Sequence, residues 1–221
     1  MAEQTIRLDN NFLVLYEDGL DGGGYDHLPD FKNAVSLSGK THYTNAVEWC
    51  AGFGVIGFDF LNRQVCENMA FIDCYKLAID WLEKTIEYNN IQNSTTLYHI
   101  DKISLLPNNL KYDLVLANPP HSFEQETKEM FERTIKNPSS RADVIRITCD
   151  VNLEIHKEFF DNIRKHLAPD ADVFISEVGH LDTVQQLAED AGLIFITKHQ
   201  AINLSKDSKT DAVIFHFKEP S

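Results

Sequence analysis

From about residue 44 onward, short apolar runs alternate with longer amphipathic stretches. Ala46–Cys50 is the first such run and predicts a strand, with Val55–Val65 following at helical spacing. Met69–Asp73 predicts a second strand. In Tyr75–Asn89, Leu77, Ala78, Trp81, Leu82, Thr85 and Ile86 share one face, which predicts an amphipathic helix. Thr95–Ile100 and Tyr112–Ala117 predict strands three and four. Asp150 or Asn152 suits the cap of a further helix whose apolar face is Ile155, Phe159, Phe160, Ile163 and Leu167. Val173–Val178 predicts strand five, and Leu181–Ala191 a helix stopped by Gly192. Leu193–Ile202 and Ala212–Phe217 are the last strands, and the polar Ser205–Thr210 between them predicts an antiparallel hairpin.

Strand–helix alternation ending in a hairpin predicts an α/β fold. It is a Rossmann-like, seven-stranded, mostly parallel sheet with helices on both faces and one reversed edge strand. Trp49 and Trp81 read as core residues. Residues 1–40 are irregular in pattern, with an apolar run Phe12–Tyr16 and then Asp21-Gly22-Gly23-Gly24, which reads as a lid or a surface loop. The polar stretch 122–141 predicts a short helix over a site.

Composition narrows the class. The 221 residues, 43% hydrophobic and 24% charged, suit one domain with a substantial core. Against 34 acidic residues stand 20 basic ones, a net charge of −14 that repels phosphate backbones and disfavours nucleic acid as a partner. No apolar stretch approaches the roughly 18 residues of a membrane span, and the first residues lack a signal core. Cys50, Cys66, Cys74 and Cys149 form no CxxC pair and read as free thiols of a cytoplasmic protein, with no disulfide framework and no metal site.

Two segments carry the candidate chemistry. Val47-Glu48-Trp49-Cys50-Ala51-Gly52-Phe53-Gly54 places a glycine turn between a strand and a helix. Asn118-Pro119-Pro120-His121 follows an apolar strand. Together they predict one crevice at the carboxyl ends of parallel strands. Gly52-x-Gly54-x-x-Gly57, with Asp73 ending strand two, matches the dinucleotide fingerprint, and equally suits tight strand–helix packing. Glu48 in the turn favours a cationic amino-acid moiety and repels a pyrophosphate. Asp101 follows strand three, where its carboxylate can accept from an exocyclic amine. The two prolines remove N–H donors, leaving the Asn118 side-chain oxygen and the Pro119 carbonyl as paired acceptors for an amino group.

The order Glu48-x-Cys50-x-Gly52-x-Gly54, Asp73, Asp101, Asn118-Pro119-Pro120-His121 resembles the class I S-adenosylmethionine-dependent methyltransferases. It is most similar to the small-domain branch with an Asn-Pro-Pro-aromatic motif, which includes release-factor glutamine and exocyclic-amine methyltransferases. The resemblance covers residues 44–218. It implies that Glu48, Cys50, Ala51, Gly52 and Gly54 hold the methionine part of the cofactor and Asp73 the ribose. It further implies that Cys74 lines the adenine, Asp101 and Lys102 address its edge, and Asn118 and Pro119 grip the acceptor nitrogen. His121 is then an acceptor for the proton released. The chain departs from the pattern at Cys50, where the first glycine stands, at Glu48, where aspartate is commoner, and at His121, which replaces tyrosine or phenylalanine.

On this reading residues 1–221 form a single methyltransferase domain, with 1–43 a cap or lid and 44–221 the catalytic core. The expected activity is methyl transfer to a nitrogen of a protein side chain or small molecule. A nicotinamide-dependent oxidoreductase, a nucleic-acid exocyclic-amine methyltransferase and a non-catalytic scaffold are the alternatives. His42, Tyr43 and Thr44 either close over the cofactor or end a helix, while Asp150 and His156 either face the acceptor pocket or, as the simpler reading, are a helix cap and a surface histidine.

Overall fold

The computed structural model describes residues 3–17, 24–121, 150–201 and 212–221. Strands β1 (Glu3–Arg7) and β2 (Leu13–Glu17) form an antiparallel hairpin and are followed by helix α1 (Gly24–Leu37). Then come β3 (Tyr43–Trp49), α2 (Val55–Asn62), β4 (Cys66–Asp73), α3 (Lys76–Asn89), β5 (Thr95–His99) and β6 (Tyr112–Ala117). Helix α4 (Glu154–Ile163), β7 (Leu167–Val178), α5 (Leu181–Asp190), β8 (Ile194–Gln200) and β9 (Ala212–Lys218) complete the chain.

The main sheet has seven strands in the order β5-β4-β3-β6-β7-β9-β8, as the alternation predicts. Strands β5 to β7 run parallel, and β9 is antiparallel to both its neighbours. The reversed strand is therefore not at the edge, as expected from the hairpin, but inserted between β7 and β8. The reason is visible in the side chains. Ala212 through Phe217 are all buried, whereas β8 alternates exposed and half-buried positions, so β8 takes the edge.

Successive residues of the central strands point to opposite faces. Ala46, Met69, Phe71, Leu114, Leu116 and Phe174 pack beneath α1, α2 and α3. Val47, Trp49, Ile72, Val115, Ala117 and Val173 pack beneath α4 and α5. Trp49 and Trp81 are core residues, each 5% exposed. Trp49 stacks on Phe159 with ring centroids 4.2 Å apart.

The N-terminal region is more ordered than its irregular pattern predicts. The β1–β2 hairpin lies on α3, where Thr85 and Asn89 bond the backbone of Leu15 and Leu13. Helix α1 contains Pro29 and begins at Gly24, the last residue of the glycine run; Leu28, Phe31, Ala34 and Val35 give it a buried face. Residues 21–23, the 122–141 stretch, Cys149 and the Ser205–Thr210 turn lie outside the described residues.

At the amino ends of the strands, the buried Tyr43 hydroxyl donates to Asp172 Oδ2 at 3.0 Å, and His216 Nε2 meets Asp172 Oδ1 at 2.7 Å. Burial alone would raise the Asp172 carboxyl, but the bonds from His216 and Tyr43 outweigh it and hold the group below its ordinary range. Tyr43 starts β3, so His42–Thr44 neither end a helix nor lie near the carboxyl ends of the strands. Tyr43→Phe should destabilise the fold by about 1.5–3 kcal/mol, the worth of a bond to a charged group. Urea unfolding would show this as a lower midpoint at unchanged slope.

Candidate functional site

Strand order reverses between β3 and β6, because β4 and β5 lie to one side of β3 and β6 returns on the other. Such a switch point leaves a crevice at the carboxyl ends of the strands. Trp49 pairs with Ile72 on one side and Ala117 on the other. The turns after β3, β4 and β6 therefore emerge side by side. A cleft of about 670 Å³, partly open to solvent, is lined there by Glu48, Cys50–Phe53, Asp73–Tyr75, Asn118 and Pro120. Gly24, Val55, Ile56 and Ala78 complete its wall.

The glycine spacing divides into two roles. Gly57 serves packing: a Cβ there would sit 2.6 Å from Glu48 Oε2 and 2.7 Å from the Phe71 ring. Gly54 caps α2 with φ of 75°, a conformation costly for other residues. Gly52 faces the cleft, and its N–H donates to Asp73 Oδ2 at 2.8 Å. The other Asp73 oxygen accepts from the Tyr75 N–H at 2.8 Å, so one carboxylate ties two walls together. Cys50, which stands where a first glycine is usual, adopts φ of 56°, a strained choice for a residue with a Cβ.

Glu48 is 2% exposed and accepts the Gly57 N–H at 2.8 Å. Burial raises its carboxyl to about 8; the Gly57 bond opposes the shift and the Asp73 charge adds to it. Burial, then the Asp73 charge, push the Cys50 thiol well above its ordinary value. No lysine or arginine lines the cleft among the described residues. Acidic groups, an apolar wall and no cation fit a positively charged ligand and oppose a pyrophosphate.

On the acceptor side Asn118 and Pro120 line the cleft, Pro119 is buried behind them, and His121 is half-buried. The His121 ring lies 5.9 Å from that of His27 on α1. Asp101 and Lys102 are exposed and do not line this cleft.

Beneath the acceptor turn lies a buried group in which Asp150 and His156 meet Glu177, a residue the sequence did not single out. His156 is not a surface residue: it is fully buried, with Nδ1 2.6 Å from Asp150 Oδ2 and Nε2 2.9 Å from Glu177 Oε2. Asp150, four residues before the first residue of α4, accepts from the Ile155 and His156 N–H groups of its first turn, and it is also this histidine's partner. Helical spacing carried the signal, since His156, Phe159, Phe160 and Ile163 form one buried face of α4. Tyr75, Phe53 and Gly24, which also line the cleft, had no chemical marker in the sequence.

The fold and the cleft together define a Rossmann-like methyltransferase. The model of the methyltransferase small domain family matches residues 30–143, just over half of the chain, and the protein belongs to that family. It is an S-adenosylmethionine-dependent methyltransferase. No curated protein matches the sequence. Solved structures share the fold. The ribosomal protein L11 methylase of Lactobacillus delbrueckii subsp. bulgaricus aligns at 12% identity over 93% of this chain and 84% of its own, with a TM-score of 0.62. A Pyrococcus horikoshii protein described as a candidate RNA methyltransferase aligns at 16% identity over 93% and 90%, with a TM-score of 0.57. Trm5 of Methanocaldococcus jannaschii, solved with adenosine, aligns at 14% identity over 100% and 58%, with a TM-score of 0.59.

The raised Glu48 carboxyl has a consequence for stability. The folded state holds this proton up to about 8, whereas an ordinary glutamate releases it near 4.5. The contribution is therefore complete below about 4.5 and is lost as pH rises through 8. Glu48→Gln keeps the acceptor for Gly57 and should flatten the decline in unfolding free energy across that window, as measured by denaturant titrations in a pH series.

Proposed function

We propose that the protein transfers a methyl group to an uncharged amine or amide nitrogen of a protein side chain or small molecule. One observation carries this reading: Asn118 lies beside Cys50 across the switch point, on the wall of a cleft with acidic groups and no lysine or arginine among its described lining residues. S-adenosylmethionine supplies a methyl on a sulfonium, which leaves as a neutral thioether when the acceptor nitrogen forms the new bond. Glu48 and the Cys50–Gly54 turn hold the methionine part, Asp73 the ribose hydroxyls, and Cys74 the adenine. Of the N-terminal segment, Gly24 at the start of α1 closes one wall of the donor side.

Asn118 and Pro119 offer oxygen acceptors to the nitrogen's hydrogens. They aim its lone pair and stabilise the positive charge it gains. Orientation of this kind supplies roughly 7–11 kcal/mol of the barrier. His121, whose imidazole burial keeps below its ordinary basicity, holds the released proton before solvent takes it.

The free thiols of Cys50, Cys66 and Cys74 support a reducing, cytoplasmic setting. No described helix is long and apolar enough to cross a membrane. A nucleic-acid acceptor is the second reading, favoured only by relatives at low identity. The net charge of −14 and the lack of cations on the described cleft wall oppose it. A nicotinamide cofactor is disfavoured because its pyrophosphate would meet no lysine or arginine on the described cleft wall.

Calorimetric titration with S-adenosylhomocysteine tests the donor site. Binding is expected, weakened roughly tenfold or more by Asp73→Ala, which removes a group bonded to two walls. Asn118→Ala should change it less than about threefold while abolishing most methyl transfer, since the side chain acts on the acceptor. No heat at millimolar ligand would refute the assignment, and NADH binding would replace it.

A further inference from the structure

Charged side chains are rarely buried without a partner of opposite sign. Asp150, His156 and Glu177 are each at most 1% exposed and come from three places in the chain: the residue before the short turn that leads into α4, α4 itself and the end of β7. One imidazole stands between two carboxyls: its Nδ1 is hydrogen-bonded to Asp150 at 2.6 Å, and its Nε2 lies 2.9 Å from Glu177 Oε2, an ion-pair distance without hydrogen-bond alignment. Burial alone would discharge the imidazole, but Asp150 and Glu177 outweigh it and raise His156 to about 9. The cluster holds two carboxyls to one imidazole, one acidic group in excess. Among the described residues, no lysine or arginine pairs with either carboxylate. The second Glu177 oxygen is taken by the Val178 N–H at 2.7 Å.

The place of this cluster gives the charge a direction. Ala117 pairs with Ile175, so Glu177 lies level with Pro119 in the acceptor turn. The Asp150 N–H donates to the His121 carbonyl at 2.9 Å. Trp49, the residue before the cleft turn, packs perpendicular to the His156 ring at 6.3 Å. Glu177 favours a charged His121 imidazole while His156 opposes it, and Asp150 adds to the upward push on the Cys50 thiol in the cleft. Two further imidazoles, those of His27 and His121, border this volume, and burial lowers both. His27 on α1 bonds Ser176 of β7 at 2.8 Å, and burial, with His121 nearby, lowers its imidazole to about 3. His121 Nδ1 is buried with no hydrogen-bond partner among the described residues.

We propose that Asp150, His156 and Glu177 form a buried counter-charge beneath the acceptor side of the cleft, positioned to stabilise the positive charge delivered there by methyl transfer. This rests on the donor-site reading above. The charge appears first on the methylated nitrogen and then, once its proton moves to the His121 imidazole, on His121. In both states a cation stands over the cluster's excess acidic group. The three residues touch neither donor nor acceptor, so they are positioning residues. The acceptor class follows: a nitrogen that is neutral on arrival and cationic after transfer, without an anionic group adjoining it.

A methyl acceptor is not needed for the test. In sinefungin, a carbon bearing a protonated amine stands where S-adenosylhomocysteine has its sulfur, so the pair reports the field at the site of transfer. Calorimetry at pH 7.5 should find sinefungin roughly tenfold tighter than S-adenosylhomocysteine in the native protein, the effect of one charge at short range in a partly buried site. Glu177→Gln should reduce that ratio about threefold or more, with S-adenosylhomocysteine affinity changed less than about threefold, a pattern that a purely structural role would not produce. An unchanged ratio with intact S-adenosylhomocysteine binding overturns this proposal alone. Failure of the native protein to bind S-adenosylhomocysteine overturns the donor-site reading and this proposal with it. Should Glu177→Gln not fold, Asp150→Asn carries the same comparison.

Discussion

The buried Glu48 carboxyl and the Gly57 amide, 2.8 Å apart, set the geometry on which the cleft depends. Glu48 projects from β3 into the face of the sheet covered by α2. Only a residue without a Cβ lets the helix come close enough to meet it. With strand and helix locked, the turn between them has little freedom, and it resolves into the left-handed conformations at Cys50, Gly52 and Gly54. Asp73 then extends the constraint to the next turn by accepting from Gly52 and Tyr75. Two acidic side chains thus shape the cleft before any ligand is considered. One is held as a neutral acid by burial, and the other is anchored by backbone amides.

The acceptor side rests on a different electrostatic device. There the carboxyls of Asp150 and Glu177 are drawn into an ion-paired chain through His156, and Asp150 also closes the first turn of α4. A buried chain of this kind is worth little as net stabilisation, because desolvation offsets most of the attraction. Its value lies in where it holds charge. The opposite end of the sheet has a comparable group, Tyr43–Asp172–His216, but there Lys218 stands 3.7 Å from the carboxylate and compensates it. Of the two, only the acceptor-side cluster leaves an acidic group in excess among the described residues.

Much of the architecture was legible in the chain because periodicity and burial agree. Met69–Asp73, Tyr75–Asn89 and Tyr112–Ala117 were each readable within a few residues, and the alternation of strands with helices implied the parallel sheet. Helix α1 was hidden by the glycine run before it and by Pro29 within it, both of which signal a turn locally. It forms because Phe31, Ala34 and Val35 find the sheet face beside α2, a contact far away in sequence. The position of β9 was also out of reach, since a hairpin's sequence does not say which of its strands docks on β7.

For the site, the sequence by itself determined the chemistry that loops could present: the glycine turn behind Glu48, the carboxylate ending β4, and the rigid Asn118-Pro119-Pro120 turn. These are local properties, fixed by backbone conformation and side-chain type within a few residues. Only the tertiary structure decided that Gly57 exists for Glu48, that Asp73 braces two turns, and that Asp150, His156 and Glu177 meet beneath His121. Those contacts join residues from separate elements. Their consequences for charge arise from desolvation in a packed interior, a property that no stretch of sequence possesses until the fold has closed around it.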